Sequence, residues 1–144
     1  MADQIPALPT KLTLEIVTPE RPLVHETVDE VTLPGVEGEL GILPGHTPLL
    51  TVLKVGVLSY RKGDQRSYVA IAHGFAEALA DRVTVLAQMA ERAEEIDVTK
   101  ARAAQERAEQ RLAAGGPQTD VEAAREALAK ASTRLVVASK ARTR

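Results

Sequence analysis

The side chains in this sequence best equipped for chemistry are three histidines, two alternating glutamates and a glycine-rich stretch. His25, His46 and His73 stand more than twenty residues apart, without the i,i+2 or i,i+4 spacing that presents two imidazoles to one metal ion. Glu37 and Glu39 alternate, so on a strand they share one face, where an acid and base pair is conceivable but a solvated or partner-facing edge is the simpler expectation. Residues 34–50, PGVEGELGILPGHTPLL, carry Gly35, Gly38, Gly41 and Gly45. This stretch has neither the GK[ST] ending of a phosphate-binding loop nor the G-x-G-x-x-G of a dinucleotide turn, and strand-like residues follow it instead of a helix. Its glycines therefore read as turns and close strand approaches. Ser59, Ser67, Ser132 and Ser139 are the serines, and none stands in a G-x-S-x-G elbow. No catalytic set is expected.

Two kinds of element must position these residues. Between Lys11 and about Ala90 the apolar residues fall in short alternating runs: Leu12, Leu14, Ile16; Val55 and Val57 with Tyr68 and Ala70; Val83, Val85, Ala87. Turn residues separate the runs at Pro19, Pro22, Pro34-Gly35, Pro44-Gly45, Gly56, Lys62-Gly63-Asp64 and Ala80-Asp81. Strands of a small antiparallel sandwich or barrel are predicted, with a hairpin over residues 61–66. Near Glu91 the composition changes to Ala, Glu, Arg, Lys and Gln, with no Gly or Pro until Gly115. A helix capped by Asp97 and stopped at Gly115-Gly116-Pro117 is predicted, then a second helix with Thr119 and Glu122 at capping-box spacing. The fold class is thus α+β: an antiparallel β-sandwich or barrel over residues 1–90, then a two-helix antiparallel hairpin over residues 91–144.

On the second helix Val121, Ala124, Leu128, Ala131, Leu135 and Ala138 form one narrow seam, facing Ala101, Ala104, Ala108 and Leu112 of the first. A buried CH₂ is worth roughly 0.8 kcal/mol, so an alanine-dominated seam supplies little. Arg102-Glu106 and Glu126-Lys130 are expected as exposed i,i+4 pairs. A marginal hairpin that can leave the β-domain and repack elsewhere is expected. Beyond Ala127 the chain carries Lys130, Arg134, Lys140, Arg142 and Arg144 and no acidic residue. Helix-dipole complementarity accounts for the cations of the last turn, whereas Lys130 and Arg134, well inside the helix, leave an acidic partner or a phosphate open.

The 144 residues are 44% hydrophobic but include only Phe75, Tyr60 and Tyr68 as aromatics, so Val, Leu, Ile and Ala must fill the core. A net charge of -2 and so few aromatics argue against nucleic-acid binding. No cysteine is present, which excludes disulfides, thiolate nucleophiles and zinc-thiolate sites. Residues 1–10 read as a short flexible lead with neither a basic start nor an apolar run. Without about 18 consecutive apolar residues, membrane association is expected only through partners.

The segments GELGILPGHTPLL and HGFAEALADRVTVLA, with the Gly56-Val57-Leu58 strand between them, resemble the epsilon subunit of bacterial and chloroplast F-type ATP synthases. The resemblance runs from KLTLEIVTP through IDVTKA to both terminal helices. It implies a non-catalytic central-stalk subunit at the cytoplasmic side of the bacterial inner membrane. There the β-sandwich docks on the gamma subunit and the membrane c-ring, catalysis belonging to other subunits. It gives Glu39 and His46 a partner-contact role. It also implies that the hairpin can extend along gamma toward the alpha and beta subunits of the catalytic head, restraining ATP hydrolysis, with Lys130, Arg134 and Lys140 facing acidic loops. No cofactor is required, but a regulatory ATP is implied through an I/L-D-x-x-R-A motif. Ile96, Asp97 and Ala101 match it, Lys100 stands where Arg is usual, Glu91 fits an upstream position, and Lys130 and Arg134 fit basic positions of the last helix. His73 departs from the family, which commonly has there the first Gly of a Gly-Gly-Phe turn.

Overall fold

A computed structural model describes residues 7–117 and 119–141; most of the expected N-terminal lead, and Arg142 and Arg144 of the basic end, lie outside the described residues. Eight strands come first: β1 (Leu12–Val17), β2 (Pro22–Val28), β3 (Glu30–Gly35), β4 (Gly38–Ile42), β5 (Leu49–Leu53), β6 (Gly56–Lys62), β7 (Gln65–Ala78) and β8 (Arg82–Arg92). They are joined in the order β2-β1-β8-β7-β5-β3-β4, with β6 pairing β3 and β7. A single 3-10 turn over Ala93–Glu95 leads to helices α1 (Val98–Ala114) and α2 (Val121–Ala141). The expected β-sandwich and helical hairpin are both present. Every strand pair is antiparallel except β1 with β8.

The alternation read from the sequence sets the core. Leu12, Leu14 and Ile16 of β1 and Val83 and Val85 of β8 are wholly buried, together with Val31, Leu33, Ile42 and Leu58. Strand β7 is long enough to serve both layers, its first half pairing with β6 through Ile71 and its second with β5 from Gly74. Between the halves sits an irregularity: His73 has φ 61° and Gly74 φ 149°. A Cβ at Gly74 would lie 2.2 Å from the Leu86 carbonyl oxygen, so close strand approach requires glycine there. The tight β6–β7 turn at Gly63-Asp64, where Gly63 has φ 63°, is the predicted hairpin. Its Gly63 N–H donates to Asp29 at 2.7 Å.

Asp97 caps α1 as predicted, accepting from the Lys100 N–H at 3.1 Å, and Gly115 ends it with φ 59°. The start of α2 differs from the expectation. Asp120, not Thr119, caps it by accepting from the Ala123 N–H at 3.0 Å, while the Thr119 hydroxyl donates to the Gly115 carbonyl at 2.6 Å and closes the interhelical loop. The seam is buried at its alanines, Ala101 and Ala108 against Ala124, Ala131 and Ala138, with Leu112, Leu128 and Leu135 half-buried. A Gln105 to Ser132 side-chain bond of 3.3 Å crosses it.

The hairpin lies folded on the sandwich. Val57, Tyr68 and Ala70, on the outward face of β6 and β7, form a second apolar cluster with Ala93, Ile96, Val137 and Ala138. Helix α2 therefore has two working faces, one for α1 and one for the sheet.

Candidate functional site

Three residues one helical turn apart on α2, Glu126, Lys130 and Arg134, face strands β7 and β8. Arg134 Nη2 donates to Glu91 Oε2 at 3.2 Å, and its Nε stands 2.8 Å from Oε1 in an ion-pair contact without a hydrogen bond, both groups half-buried. Lys130 Nζ stands 3.5 Å from Glu126 Oε2, the i,i+4 pair read from the sequence. Glu126 Oε1 is also bonded by His73 Nε2. That imidazole bond first, and the Lys130 charge second, hold the Glu126 carboxyl below its usual range. Lys140 Nζ sits over the Tyr68 ring, 5.7 Å from its centroid. The pattern of the basic stripe left an acidic partner or a phosphate open for Lys130 and Arg134. In the docked hairpin Lys130 keeps Glu126 of its own helix, while the sheet supplies Glu91 to Arg134 and Tyr68 to Lys140 across more than forty residues of sequence.

The segment entering the hairpin is fastened to the sandwich. Arg21 pairs with Glu95 at 2.7 Å, Arg92 donates through its guanidinium to the Leu23 carbonyl, and Glu95 accepts from the Arg92 N–H at 3.1 Å. Burial pushes the Glu95 carboxyl up, but the Arg92 N–H and the Arg21 guanidinium outweigh it and leave it below its usual range. Residues 93–95 are thus held with the β-domain.

The residues matched to a nucleotide motif do not meet in one pocket. Glu91, Lys130 and Arg134 line a cavity of about 20 Å³ with Ala70, Ala72 and Thr133. Room of that size suits a single water, whereas ligand pockets run to roughly 300 Å³ and above. Ile96 and Ala101 are buried in packing, Asp97 is occupied as a helix cap, and Lys100 is exposed on α1. In the docked form the cavity at Glu91, Lys130 and Arg134 is smaller than a nucleotide.

Glu39 lies within β4, near its start, and His46 lies past its end. Glu39 pairs with Pro34 beside the β3–β4 turn. His46 belongs to the loop after β4, where its Nδ1 is 2.6 Å from the Thr47 carbonyl and the preceding Gly45 N–H donates to Ala80 at 2.7 Å. They form no common cluster, and among the described residues no group of His, Asp and Glu has metal-ligand geometry.

One surface was not anticipated. Val52, Phe75 and Leu86 stand side by side on β5, β7 and β8, and all three are about half exposed. With Val17 of β1 they form an apolar stripe along a groove of about 780 Å³ that reaches Glu126 and Lys130. The available signal was apolar residues at both parities of β7, where inward Ala76 and Ala78 follow outward Phe75. A half-exposed sheet needs only one apolar parity.

The fold and site thus define a β-sandwich with an exposed apolar stripe and a helical hairpin packed on it. The family described as "ATP synthase, Delta/Epsilon chain, beta-sandwich domain" matches residues 11–93, and "ATP synthase, Delta/Epsilon chain, long alpha-helix domain" matches residues 94–139. The ATP synthase epsilon chain of Syntrophobacter fumaroxidans is 53% identical over 130 residues, 90% of this chain and 97% of that one. That of Solibacter usitatus is 45% identical, covering 92% and 99%. Among solved structures, a chain of the Euglena gracilis mitochondrial ATP synthase superposes with a TM-score of 0.78 at 24% identity, covering 96% of this chain and 85% of that one. The chain belongs to the delta/epsilon chain family of ATP synthases.

Proposed function

We propose that this chain is a non-catalytic rotor subunit of a proton-translocating ATP synthase. Its sandwich docks on the gamma subunit and the c-ring, and its hairpin restrains ATP hydrolysis when it extends toward the alpha and beta subunits. The observation that carries the regulatory part is the modest hold of the hairpin: a small cluster around Val137 and Ala138, plus partly exposed ion pairs. Partly exposed pairs contribute about 0 to 1 kcal/mol each, so release lies within reach of partner contacts. The stripe of Val52, Phe75 and Leu86 supports the docking part, since contiguous exposed apolar surface marks protein contact sites. No helix among the described residues is long and apolar enough to cross a membrane, in keeping with peripheral attachment through partners on the cytoplasmic side of a bacterial inner membrane.

The test is removal of residues 97–144, which leaves the fastened turn over Ala93–Glu95 in place. Reconstituted head with the truncated chain should hydrolyse ATP faster than with the full chain. Equal rates would remove the brake from this reading, and failure of the tagged chain to capture gamma from its own cells would remove the rotor.

A regulatory ATP is a second reading of the same helices, favoured by the convergence of Glu91, Lys130 and Arg134. It requires Arg134 to leave Glu91 and the cavity to widen many-fold. Calorimetry with ATP tests it directly, and absence of heat at millimolar nucleotide would dismiss it.

A further inference from the structure

Among the described non-glycine residues His73 alone has a positive φ, 61°. Left-handed backbone is unfavourable for a residue bearing a Cβ, and glycine adopts it at no such cost. The imidazole put there instead reaches out of β7 to α2 and bonds Glu126. Its position along the helix gives this bond leverage. Val137 and Ala138 anchor the far end of α2 by packing, and Arg134 holds the middle through Glu91. Glu126 lies eleven residues before Val137, about 16 Å along the axis, where the groove wall is open and no apolar anchor exists.

We propose that His73 and Glu126 form a catch that holds the leading half of α2 against the sheet and so sets the balance between docked and released hairpin. The inference rests on the reading that the hairpin moves. Lys130 belongs to the catch as the second partner of Glu126, keeping its carboxylate charged and turned toward the sheet. From the other elements the groove receives Val17, Val52, Leu86 and Gln88, none of which competes for the imidazole with a charge. Because the contact is partly exposed, its loss should shift the balance by about two- to fivefold. It tunes the hairpin without locking it.

The chain has no cysteine, so two introduced thiols can carry a distance probe without side reactions. We would label Asp81→Cys on the β7–β8 turn and Ala129→Cys on α2, both exposed, in the full-length protein and measure the distance distribution by pulsed electron resonance. His73→Gly, which suits the backbone and removes the imidazole, should raise the released fraction two- to fivefold. Glu126→Gln should raise it by a similar factor, and the double variant no further. A released fraction unchanged by His73→Gly, or two effects that simply multiply, would overturn the catch. Val137→Asp, which destroys the apolar anchor, separates the two failures. If it releases the hairpin while His73→Gly does not, only the catch is wrong; if neither does, the mobile hairpin falls with it.

Discussion

Truncating Val137 to alanine isolates the docking of the hairpin from its internal pairing. Val137 is wholly buried, and its neighbours are Ala70, Ala93 and Ile96 on the sandwich side together with Ala138, whereas Ala124 and Ala131 of the α1–α2 seam lie outside that cluster. Two methyl groups are lost. At roughly 0.8 kcal/mol per buried carbon, with a further contribution from the space left behind, docking should weaken by about 2 kcal/mol. That equals about a thirtyfold rise in the released population, since 1.4 kcal/mol is a factor of ten. Amide hydrogen exchange reads this directly. Protection over the last turns of α2 should fall by the same factor, while β1 and β8, whose core is a separate cluster, keep theirs. Uniform loss of protection across both clusters would refute the separation of the two packing units, and no loss anywhere would refute the account of Val137 as the anchor.

Gly74→Ala places a methyl 2.2 Å from the Leu86 carbonyl oxygen and 2.8 Å from the Ala87 Cα, and should cost more than about 3 kcal/mol, seen as a large drop in the melting temperature of the sandwich. Asp120→Ala removes the α2 cap and should cost about 1 kcal/mol, read as faster exchange over the first turn of α2 with the sandwich unaffected. Glu126, lowered in the docked form by His73 and Lys130, contributes docking stability that is complete above its ordinary released-state value. That contribution is lost as pH falls through the lowered docked value. The distance probe should therefore show the hairpin opening on acidification below the usual carboxylate range, and less so in Glu126→Gln.

What the sequence disclosed was what lies within one element. The alternation of Leu12, Leu14 and Ile16, the Asp97 cap and the Gly115 stop depend on neighbours a few residues away, and each is found where its pattern placed it. The α2 cap slipped by one residue because Thr119 and Asp120 are both good caps, and the choice was made by the Gly115 carbonyl, which claims the threonine hydroxyl. Val137 was overlooked because a single seam was drawn on α2, and only the sheet beneath reveals its second face. Only the family resemblance grouped Glu91 with Lys130 and Arg134: Glu91 meets Arg134 and His73 meets Glu126 across a fold, at separations no local pattern encodes. The residues matched to a nucleotide motif are spread over a strand and two helices: in the docked form Asp97 caps α1, while Glu91, Lys130 and Arg134 line the small cavity beneath α2.

Strand β7 carries a consequence for how such a chain can vary over time. Its fourteen residues send Ala76 and Ala78 into the core while Phe75 and Glu77 face out, and its two halves pair with different strands. Substitutions along it alter one contact each. A one-residue insertion or deletion past Gly74 would exchange the two faces at once, burying Glu77 and turning the core alanines outward. Length in β7 is therefore far less negotiable than identity, and natural variation in chain length should collect in the interhelical loop after Gly115, where no Cβ meets an obstacle.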